Sequence, residues 1–272
     1  MKGKLWSVLL AIVPALALGG WLAPSPADAA VAFANSSQIN WSSAGRTGAF
    51  FSHTTPAGSD RLLLVIVGIR GTQSVDSTTF PPTYGGQTLT RAVFNDSGAT
   101  SGQRVEIWYL VNPPTGANDA VVTYTASVNP DGIASLSYTG VDQASPIGAT
   151  NGANSTTGTP TMNLTTTVAN SLIVGGLTNR GADTSPHTQG AAITQQYYNF
   201  DSGTSNTADD GYTGGHAPAA SVNTYTFNFT SSASDDWAIA AVEVKPAPVL
   251  NNFLVEAQDG GAIGTQTAGV PF

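Results

Sequence analysis

The sequence predicts an all-β protein, an antiparallel β-sandwich of about 12 strands that follows a signal peptide. Short segments rich in β-branched and aromatic residues recur along the chain, and clusters of Gly, Pro, Asn and Asp separate them. After residue 30, no stretch has the three- and four-residue spacing of apolar residues over about ten positions that a helix requires. Charged residues form only 10% of the chain, so Ser, Thr, Asn and Gly must supply most of the polar surface. That composition is typical of exposed sheet faces and turns.

The segment from Arg104 to Val111 is the most clearly defined strand. Successive side chains of a strand point to opposite faces of its sheet. One face of this strand would carry Arg104, Glu106, Trp108 and Leu110, and the other would carry Val105, Ile107, Tyr109 and Val111. The sequence Asn-Pro-Pro follows and ends the strand, because proline cannot donate to a sheet ladder. We expect a central strand with the ring of Trp108 in the core.

Residues 1–29 have the features of a secretory signal peptide. Two lysines precede an apolar run from Leu5 to Leu18, and Ala27-Asp28-Ala29 offers small residues for cleavage before Ala30. A membrane anchor is the alternative, but the run is shorter than the ~20 residues of a spanning helix, and Pro14 interrupts it. We therefore expect a mature chain that begins at Ala30, is secreted or displayed at the cell surface, and is not inserted in the membrane.

The charge balance and the absence of cysteine exclude several classes of protein. The formal net charge of the 272 residues is −8, so the chain lacks the basic surface of a nucleic-acid binder. The same balance disfavours attachment to anionic lipid. Without cysteine the chain has no disulfide, no Cys-ligated zinc and no thiol nucleophile. A chain of this length can still bury a sizeable core without covalent cross-links.

The remaining strands are expected where apolar or alternating segments lie between turn signals. They are Ala49–Thr54, Arg61–Arg70, Thr88–Asn95, Ala120–Ala126, Ile133–Thr139, Met162–Val168, Leu172–Leu177, Ala192–Phe200, Val222–Phe229 and Trp237–Val244. The segment Arg61–Arg70 is continuously apolar between its terminal arginines, so we expect it to be buried on both faces. Asn129-Pro130-Asp131-Gly132 predicts a turn, and residues 142–160, 180–190 and 201–219 predict long polar loops. The last two strands predict a hairpin.

The second half of the sequence repeats the first half in order. Leu62-Leu63-Leu64-Val65 resembles Leu172-Ile173-Val174, Thr123-Tyr124-Thr125 recurs as Thr224-Tyr225-Thr226, and Ile133-Ala134-Ser135-Leu136 matches Ile239-Ala240-Ala241-Val242. The offset between the copies drifts, as changes in loop length would produce. Two sets of roughly five or six strands form either one sandwich or two small ones. One sandwich is favoured, because each half has few large aromatic residues for a core of its own.

Five short motifs in this order resemble an uncharacterised secreted bacterial module of the concanavalin A-like, jelly-roll type. The motifs are Arg61-Leu-Leu-Leu-Val, Tyr84-Gly-Gly-Gln-Thr-Leu-Thr, Val105-Glu-Ile-Trp-Tyr-Leu, Tyr138-Thr-Gly-Val-Asp and Asp236-Trp-Ala-Ile. The resemblance covers the chain from about Ala49 to Pro246 and implies a jelly-roll sandwich over residues 30–246. It also implies a place in a long surface or extracellular protein beside immunoglobulin-like repeats. It brings no catalytic motif.

The composition changes after this module. Lys245-Pro246-Ala247-Pro248 predicts a stiff linker. Residues 252–272 resemble the opening strands of a bacterial immunoglobulin-like domain, and they are too few to bury a core alone. We therefore assign residues 247–272 to a linker and the start of a truncated immunoglobulin-like domain.

The titratable residues form no recognisable catalytic or metal-binding pattern. His53, His187 and His216 are far apart in the sequence and have unlike neighbours. Glycoside hydrolysis usually needs two carboxylates ~5–9.5 Å apart, and Glu106 has no acidic partner two residues away on its strand. We expect Glu106 to pair with Arg104 or with an arginine of a neighbouring strand. The sequence therefore predicts a protein that is not an enzyme and that has no cofactor, with calcium as the alternative considered next.

The candidate ligand site lies around the long loop from Asp201 to Ala219. Aromatic rings can stack on sugars while polar neighbours hydrogen-bond the hydroxyl groups. The candidate ligand-binding residues are Tyr197, Tyr198, Asp209, Asp210 and Tyr212. The oxygen ligands of Asp201, Asp209 and Asp210 in this Gly-rich loop also suit calcium, although Asp and Gly equally serve as ordinary turn residues. Trp108 and Trp237 lie in apolar strands and are assigned to the core.

These observations predict a secreted or cell-surface, non-enzymatic β-sandwich module for adhesion or glycan binding. Its partners would be a glycan or cell-surface polysaccharide and neighbouring immunoglobulin-like domains. Two alternatives stay open at this point. One is a structural spacer of a large extracellular protein, and the other is a glycoside-active enzyme.

Overall fold

A computed structural model of the chain describes residues 30–40, 45–71, 73–98, 102–180, 187–200, 210–230 and 235–248. It also describes the backbone of residues 254–255 and 264–265, which pair with each other. Every regular element in these ranges is a β-strand, and the sheets are antiparallel. The all-β prediction is confirmed, while the predicted signal peptide lies outside the described residues.

The first half forms an inner sheet and an outer sheet. Its strands are β1 (Ala32–Asn40), β2 (Arg46–Thr55), β3 (Leu62–Arg70), β4 (Thr83–Tyr84), β5 (Gln87–Thr88), β6 (Thr90–Asp96), β7 (Gln103–Val111) and β8 (Gly116–Thr139). The end of β8 belongs to the inner sheet, whose order is β1-β8-β3-β7-β6. The start of β8 belongs to the outer sheet, whose order is β2-β8-β4-β5.

The second half repeats this arrangement. Its strands are β9 (Ile147–Ser155), β10 (Thr161–Thr165), β11 (Ser171–Arg180), β12 (Thr188–Gln189), β13 (Thr194–Phe200), β14 (Asp210–Ala219), β15 (Thr224–Thr230) and β16 (Trp237–Val244). The inner sheet has the order β9-β16-β11-β14-β13 and the outer sheet β10-β15-β12, which is the first-half order without a counterpart of β5. Asp60 and Asn170, just before β3 and β11, both have positive φ angles, of 54° and 57°. Few non-glycine residues adopt that conformation, so the shared feature supports an internal duplication.

The four sheets stack as layers around three hydrophobic cores. The two inner sheets pack face to face around a middle core, which includes Leu136 of the first half and Val242 of the second. Each outer sheet covers the other face of its inner sheet, around a first-half core and a second-half core. The expectation of a single sandwich is therefore corrected: each half is a sandwich, and the two halves share the middle core. The middle core buries a second face of each inner sheet, and most of its residues are aliphatic. Each half therefore forms a sandwich although it has few large aromatic residues.

Strand β3 lies between two cores, as its continuous apolar sequence predicts. Leu62 and Leu64 enter the middle core, and Leu63 and Val65 enter the first-half core. Strand β7 lies beside β3 inside the inner sheet, and the ring of Trp108 is buried. Both sequence-based assignments are confirmed.

Strand β8 runs without interruption through residues 129–132, where a turn is predicted. Its first part pairs with β2 and its last part with β1, so the chain passes between the sheets of the first half near these residues. His53, which pairs with Asn118 in the outer sheet, contacts the Ser137 hydroxyl across the sandwich, with 2.5 Å between Nε2 and Oγ. Asn118 and Ser137 thus lie at the same level, so the chain reverses direction between two sheets rather than in a hairpin within one.

Three other sequence-based assignments are wrong. Residues 147–155, predicted as loop, form the edge strand β9. Its side chains are exposed or half-exposed, so this strand forms without the apolar residues that would have marked it in the sequence. Residues 210–219, also predicted as loop, form the interior strand β14. Strands β15 and β16 lie in different sheets and form no hairpin. The cause is common to all three, because the pairing partners of these strands are set by the tertiary fold rather than by neighbouring sequence.

Candidate functional site

The chain enters and leaves the module at the same end. The carbonyl oxygen of Ala30 lies 2.7 Å from the point where a Cβ on Gly140 would stand. The N–H of Ala247 donates to the Gly140 carbonyl at 2.8 Å, and Val141 pairs with Pro246 in a β-bridge. Ala30 and Ala247 are therefore neighbours. Residues 245–247, predicted as part of a stiff linker, are instead paired with the connector between the halves.

The predicted ligand loop is attached at the opposite end of the module. Strand β11 begins beside Val244, where the chain leaves, and ends at Arg180, which pairs with Asp210 at the start of β14. The Asn154 amide of β9 donates to the Asn95 side chain of β6 at 2.8 Å, and both residues lie near the ends of their strands that are far from Ala30 and Ala247. The two halves therefore extend in the same direction from the common end. The segment between β13 and β14 therefore starts and finishes far from Ala30 and Ala247, where the chain enters and leaves the module.

The acidic candidates of this loop are not placed by the structure. Asp201 and Asp209 lie outside the described residues, and Asp210 is described only through its backbone pairing with Arg180. Within the described ranges, no group of three His, Cys, Asp or Glu side chains is arranged to hold a metal ion. Calcium at Asp201, Asp209 and Asp210 stays a prediction.

Tyr197 and Tyr212 belong to the middle core. Their exposed fractions are 2% and 0%, and their ring centroids are 4.7 Å apart. Tyr212 donates to the carbonyl of Ile66 in the opposite inner sheet at 2.5 Å. Burial raises the pKa of both phenols. A ring without an exposed face cannot stack on a sugar, so these two candidates are corrected to core residues.

Glycines make room for Tyr197. A Cβ at Gly176 or at Gly214 would collide with its phenol oxygen. These glycines lie in β11 and β14, and a glycine inside a strand often marks the close approach of another group. The paired glycines of both strands are thus a sequence signal for an inserted side chain, although the sequence does not identify that side chain as Tyr197.

A shallow depression of about 270 Å³ lies between β1 and β13, which are edge strands of the two inner sheets. Its lining residues are Gln38, Gln195, Gln196, Tyr197 and Tyr198. Gln196 is the extra residue of a β-bulge, because its two neighbours on β13 pair with the consecutive residues Gly215 and Gly214. A bulge on an edge strand re-aims a side chain. Of the candidates, Tyr198 is half-buried here, whereas the three glutamines form no motif that a sequence search would find.

Hydrogen bonds hold the walls of this depression. The Gln38 amide donates to the carbonyl of Tyr198 at 2.8 Å and accepts from its N–H at 2.9 Å, as a neighbouring strand would. The Gln195 amide donates to the hydroxyl of Thr213 at 3.0 Å. The lining contains no charged residue. The depression therefore presents uncharged hydrogen-bond donors and acceptors, and two of its glutamine side chains are held by hydrogen bonds.

The buried carboxylates are used within the fold. Glu106 accepts hydrogen bonds from the Arg104 guanidinium at 2.8 Å and from the Val75 N–H at 3.0 Å, which confirms the predicted ion pair. Glu243, which the sequence did not single out, accepts from three backbone N–H groups. Burial would raise the pKa of Glu243, but these bonds and one from the Thr167 hydroxyl outweigh it and hold the pKa below its usual value. Neither carboxylate lines the depression.

His53 and Ser137 form the arrangement that most resembles a catalytic dyad. The imidazole Nε2 lies 2.5 Å from the Ser137 hydroxyl, and Nδ1 lies 3.0 Å from the Ser37 hydroxyl. A nucleophilic serine must reach a substrate, yet His53 and Ser137 are each only 1% exposed. We interpret this contact as a structural bridge between the two sheets of the first half.

We expect the buried imidazole of His53 to make the fold sensitive to acid. Burial lowers its pKa from 6.5 to about 4. Below pH 6.5 the unfolded chain binds a proton that the folded protein does not, so the free energy of unfolding falls as the pH drops toward 4. The loss is at most about 3 kcal/mol and levels off below pH ~4.

Urea unfolding at several pH values between 7.5 and about 4.5 measures this effect. His53→Gln should flatten the profile, although the altered bridge will lower stability at every pH. His216→Gln is the comparison variant: burial also lowers the pKa of His216, so this variant should flatten the profile in part, while the His53 imidazole and its contact with Ser137 stay in place. A wild-type profile that is flat over this range would show that His53 is protonated inside the fold.

The other two histidines lie elsewhere in the molecule. His216 contacts the Tyr138 hydroxyl at 3.4 Å, where the two halves meet. His187 lies 2.9 Å from the Asn179 amide in the second half. The three histidines therefore do not converge on one site within the described chain.

No family model, no curated protein and no solved structure matches this chain. In the part of the chain that the structure describes, no helix is long and apolar enough to cross a membrane. The function of this chain is therefore inferred from its own geometry.

Proposed function

We propose that this chain is a secreted or cell-surface, non-enzymatic module that binds glycans and is held by one end. One observation carries the proposal: Ala30 and Ala247 are neighbours, and the four sheets extend away from them. A module attached in this way presents its far end and its sides to the surroundings. The uncharged depression between β1 and β13 lies on one of those sides.

The same geometry disfavours the alternative of a structural spacer. A spacer separates the domains on either side of it, so its two ends should lie far apart. Here strands such as β1 and β9, with nine residues each, extend for about 30 Å from the common end. That length projects sideways from the path of the chain and adds little distance between neighbouring domains.

We also propose that each half is a sandwich of the jelly-roll, concanavalin A-like type, which the two antiparallel sheets of each half support. Residues 1–29 would export the chain as a signal peptide, and residues 247–272 would be a linker and the start of an immunoglobulin-like neighbour. Both assignments fit an extracellular adhesion or glycan-binding protein.

A glycan array tests the proposal with the mature chain, residues 30–272, displayed as a tetramer to strengthen weak binding. We expect reproducible binding to a subset of glycans, without cleavage. An array without any bound glycan would contradict the proposal and favour the spacer. Cleavage of a bound glycan would contradict the non-enzymatic assignment and favour the glycoside-active enzyme. Loss of binding with a chelator would support calcium at Asp201, Asp209 and Asp210.

A further inference from the structure

We infer that the depression between β1 and β13 is a recognition site for an uncharged sugar residue, with the Gln196 carboxamide as its hydrogen-bonding group. This inference deepens the proposed function and rests on it. It assigns a place and a ligand class that the sequence alone does not indicate. All residues that line this depression are among those that the structure describes.

The bulge in β13 makes Gln196 available. Its neighbours Gln195 and Tyr197 are paired with β14, while Gln196 has no partner in that ladder. Its side chain is half-buried in the lining and makes no hydrogen bond within the described part of the chain. A partly desolvated carboxamide gains most from a ligand that supplies both a donor and an acceptor.

The groups around Gln196 are fixed before a ligand arrives. The Gln38 amide bonds both backbone groups of Tyr198, so it joins the edges of the two inner sheets at this point. The bond from Gln195 to Thr213 fixes a second wall. A site whose walls are already held loses less conformational entropy on binding. The fold thus supplies two anchored amides beside one that remains available.

The chemistry of the lining selects the class of ligand. Sugar hydroxyl groups donate and accept hydrogen bonds, as carboxamides do. Tyr198 is half-buried and also lines the depression, but most of the exposed lining is polar, so hydrogen bonds rather than ring stacking would recognise the ligand. No arginine, lysine or histidine lines the depression to neutralise a carboxylate or a sulfate, so acidic sugars would lose solvation without a partner. A volume of about 270 Å³ is below the ~300–1,000 Å³ of drug-sized pockets, which suits one or two sugar residues rather than a long chain.

Binding of tetrameric mature chain to neutral and acidic glycans, with and without Gln196→Leu, tests the inference. Leucine is similar in size but cannot hydrogen-bond, so we expect apparent affinity for neutral glycans to fall about three- to tenfold for each site. Gln87→Leu is the matched control, because Gln87 is exposed on β5 in the outer sheet of the first half. A thermal melt of each variant establishes that it is folded, and Gln196→Ala provides a second variant of the same position.

The outcomes separate the inference from the function on which it rests. Weakened neutral-glycan binding in both Gln196 variants, with Gln87→Leu unchanged, supports the site. Wild-type binding that both Gln196 variants retain in full overturns the site and leaves the function standing. Binding restricted to acidic glycans overturns the ligand class. A wild-type chain that binds no glycan overturns the proposed function itself.

Discussion

Glu106→Ala is expected to lower the free energy of unfolding by about 3–5 kcal/mol, because it removes one of the two carboxylates that pair with a buried guanidinium. The Glu106 carboxylate is fully buried and accepts from the Arg104 guanidinium at 2.8 Å, the Val75 N–H at 3.0 Å and the Trp108 indole at 3.2 Å. Arg104 also bonds Asp96 at 2.8 Å, but it is itself only 7% exposed, so water cannot replace the lost carboxylate. Urea unfolding at neutral pH measures the loss.

Two comparisons separate a lost charge pair from a simple cavity. Glu106→Gln keeps a hydrogen-bond acceptor of the same shape and should cost less than Glu106→Ala. In the double variant Arg104→Ala with Glu106→Ala, the total loss should be smaller than the sum of the single losses, since the two residues act as one unit. A loss below about 1 kcal/mol for Glu106→Ala, typical of surface changes, would contradict the buried pair.

Strands whose signal lies in their own residues could be predicted from the sequence. Trp237–Val244 begins and ends at the predicted residues, and β3 and β7 each differ from the prediction by one residue at one end. In these strands the alternation of side chains, or burial on both faces, follows from local sequence alone. The Arg104–Glu106 pair was predictable for the same reason, because residues two apart on a strand share a face.

The stacking of the layers depends on contacts between distant residues, so local sequence could not predict it. Tyr197 lies in the segment Thr-Gln-Gln-Tyr-Tyr-Asn-Phe, which has no regular apolar alternation, yet glycines on two other strands make a place for its ring in the middle core. The duplication predicted two similar halves, but not that their inner sheets would share a core.

The same limit applies to the candidate site. Tyr198 was among the predicted ligand residues, whereas Gln196 becomes available only through a register shift between β13 and β14. Gln38 reaches the site from the other half of the chain, 160 residues away from Tyr198. A motif search cannot connect residues at that separation, because their relation exists only in the folded stack.

Trp237→Ala is expected to cost about 3–5 kcal/mol of the free energy of unfolding, as removal of a buried Trp usually does. The ring is 5% exposed in the second-half core, and its indole N–H donates to the Thr157 carbonyl at 3.1 Å. Phe50→Ala is the control, since Phe50 is 72% exposed and its loss should change stability by less than about 0.5 kcal/mol. A cost below about 1 kcal/mol for Trp237→Ala would mean that its ring lies on a different face of β16.

The form of the transition in Trp237→Ala also tests the shared middle core. Trp237 belongs to the second-half core alone, but β16 also supplies Ala240 and Val242 to the middle core against the first half. If the halves unfold together, urea should give a single transition at lower concentration, with an unchanged slope and with fluorescence and circular dichroism coinciding. Two separated transitions, of which Trp237→Ala moves only one, would show that the middle core does not couple the halves.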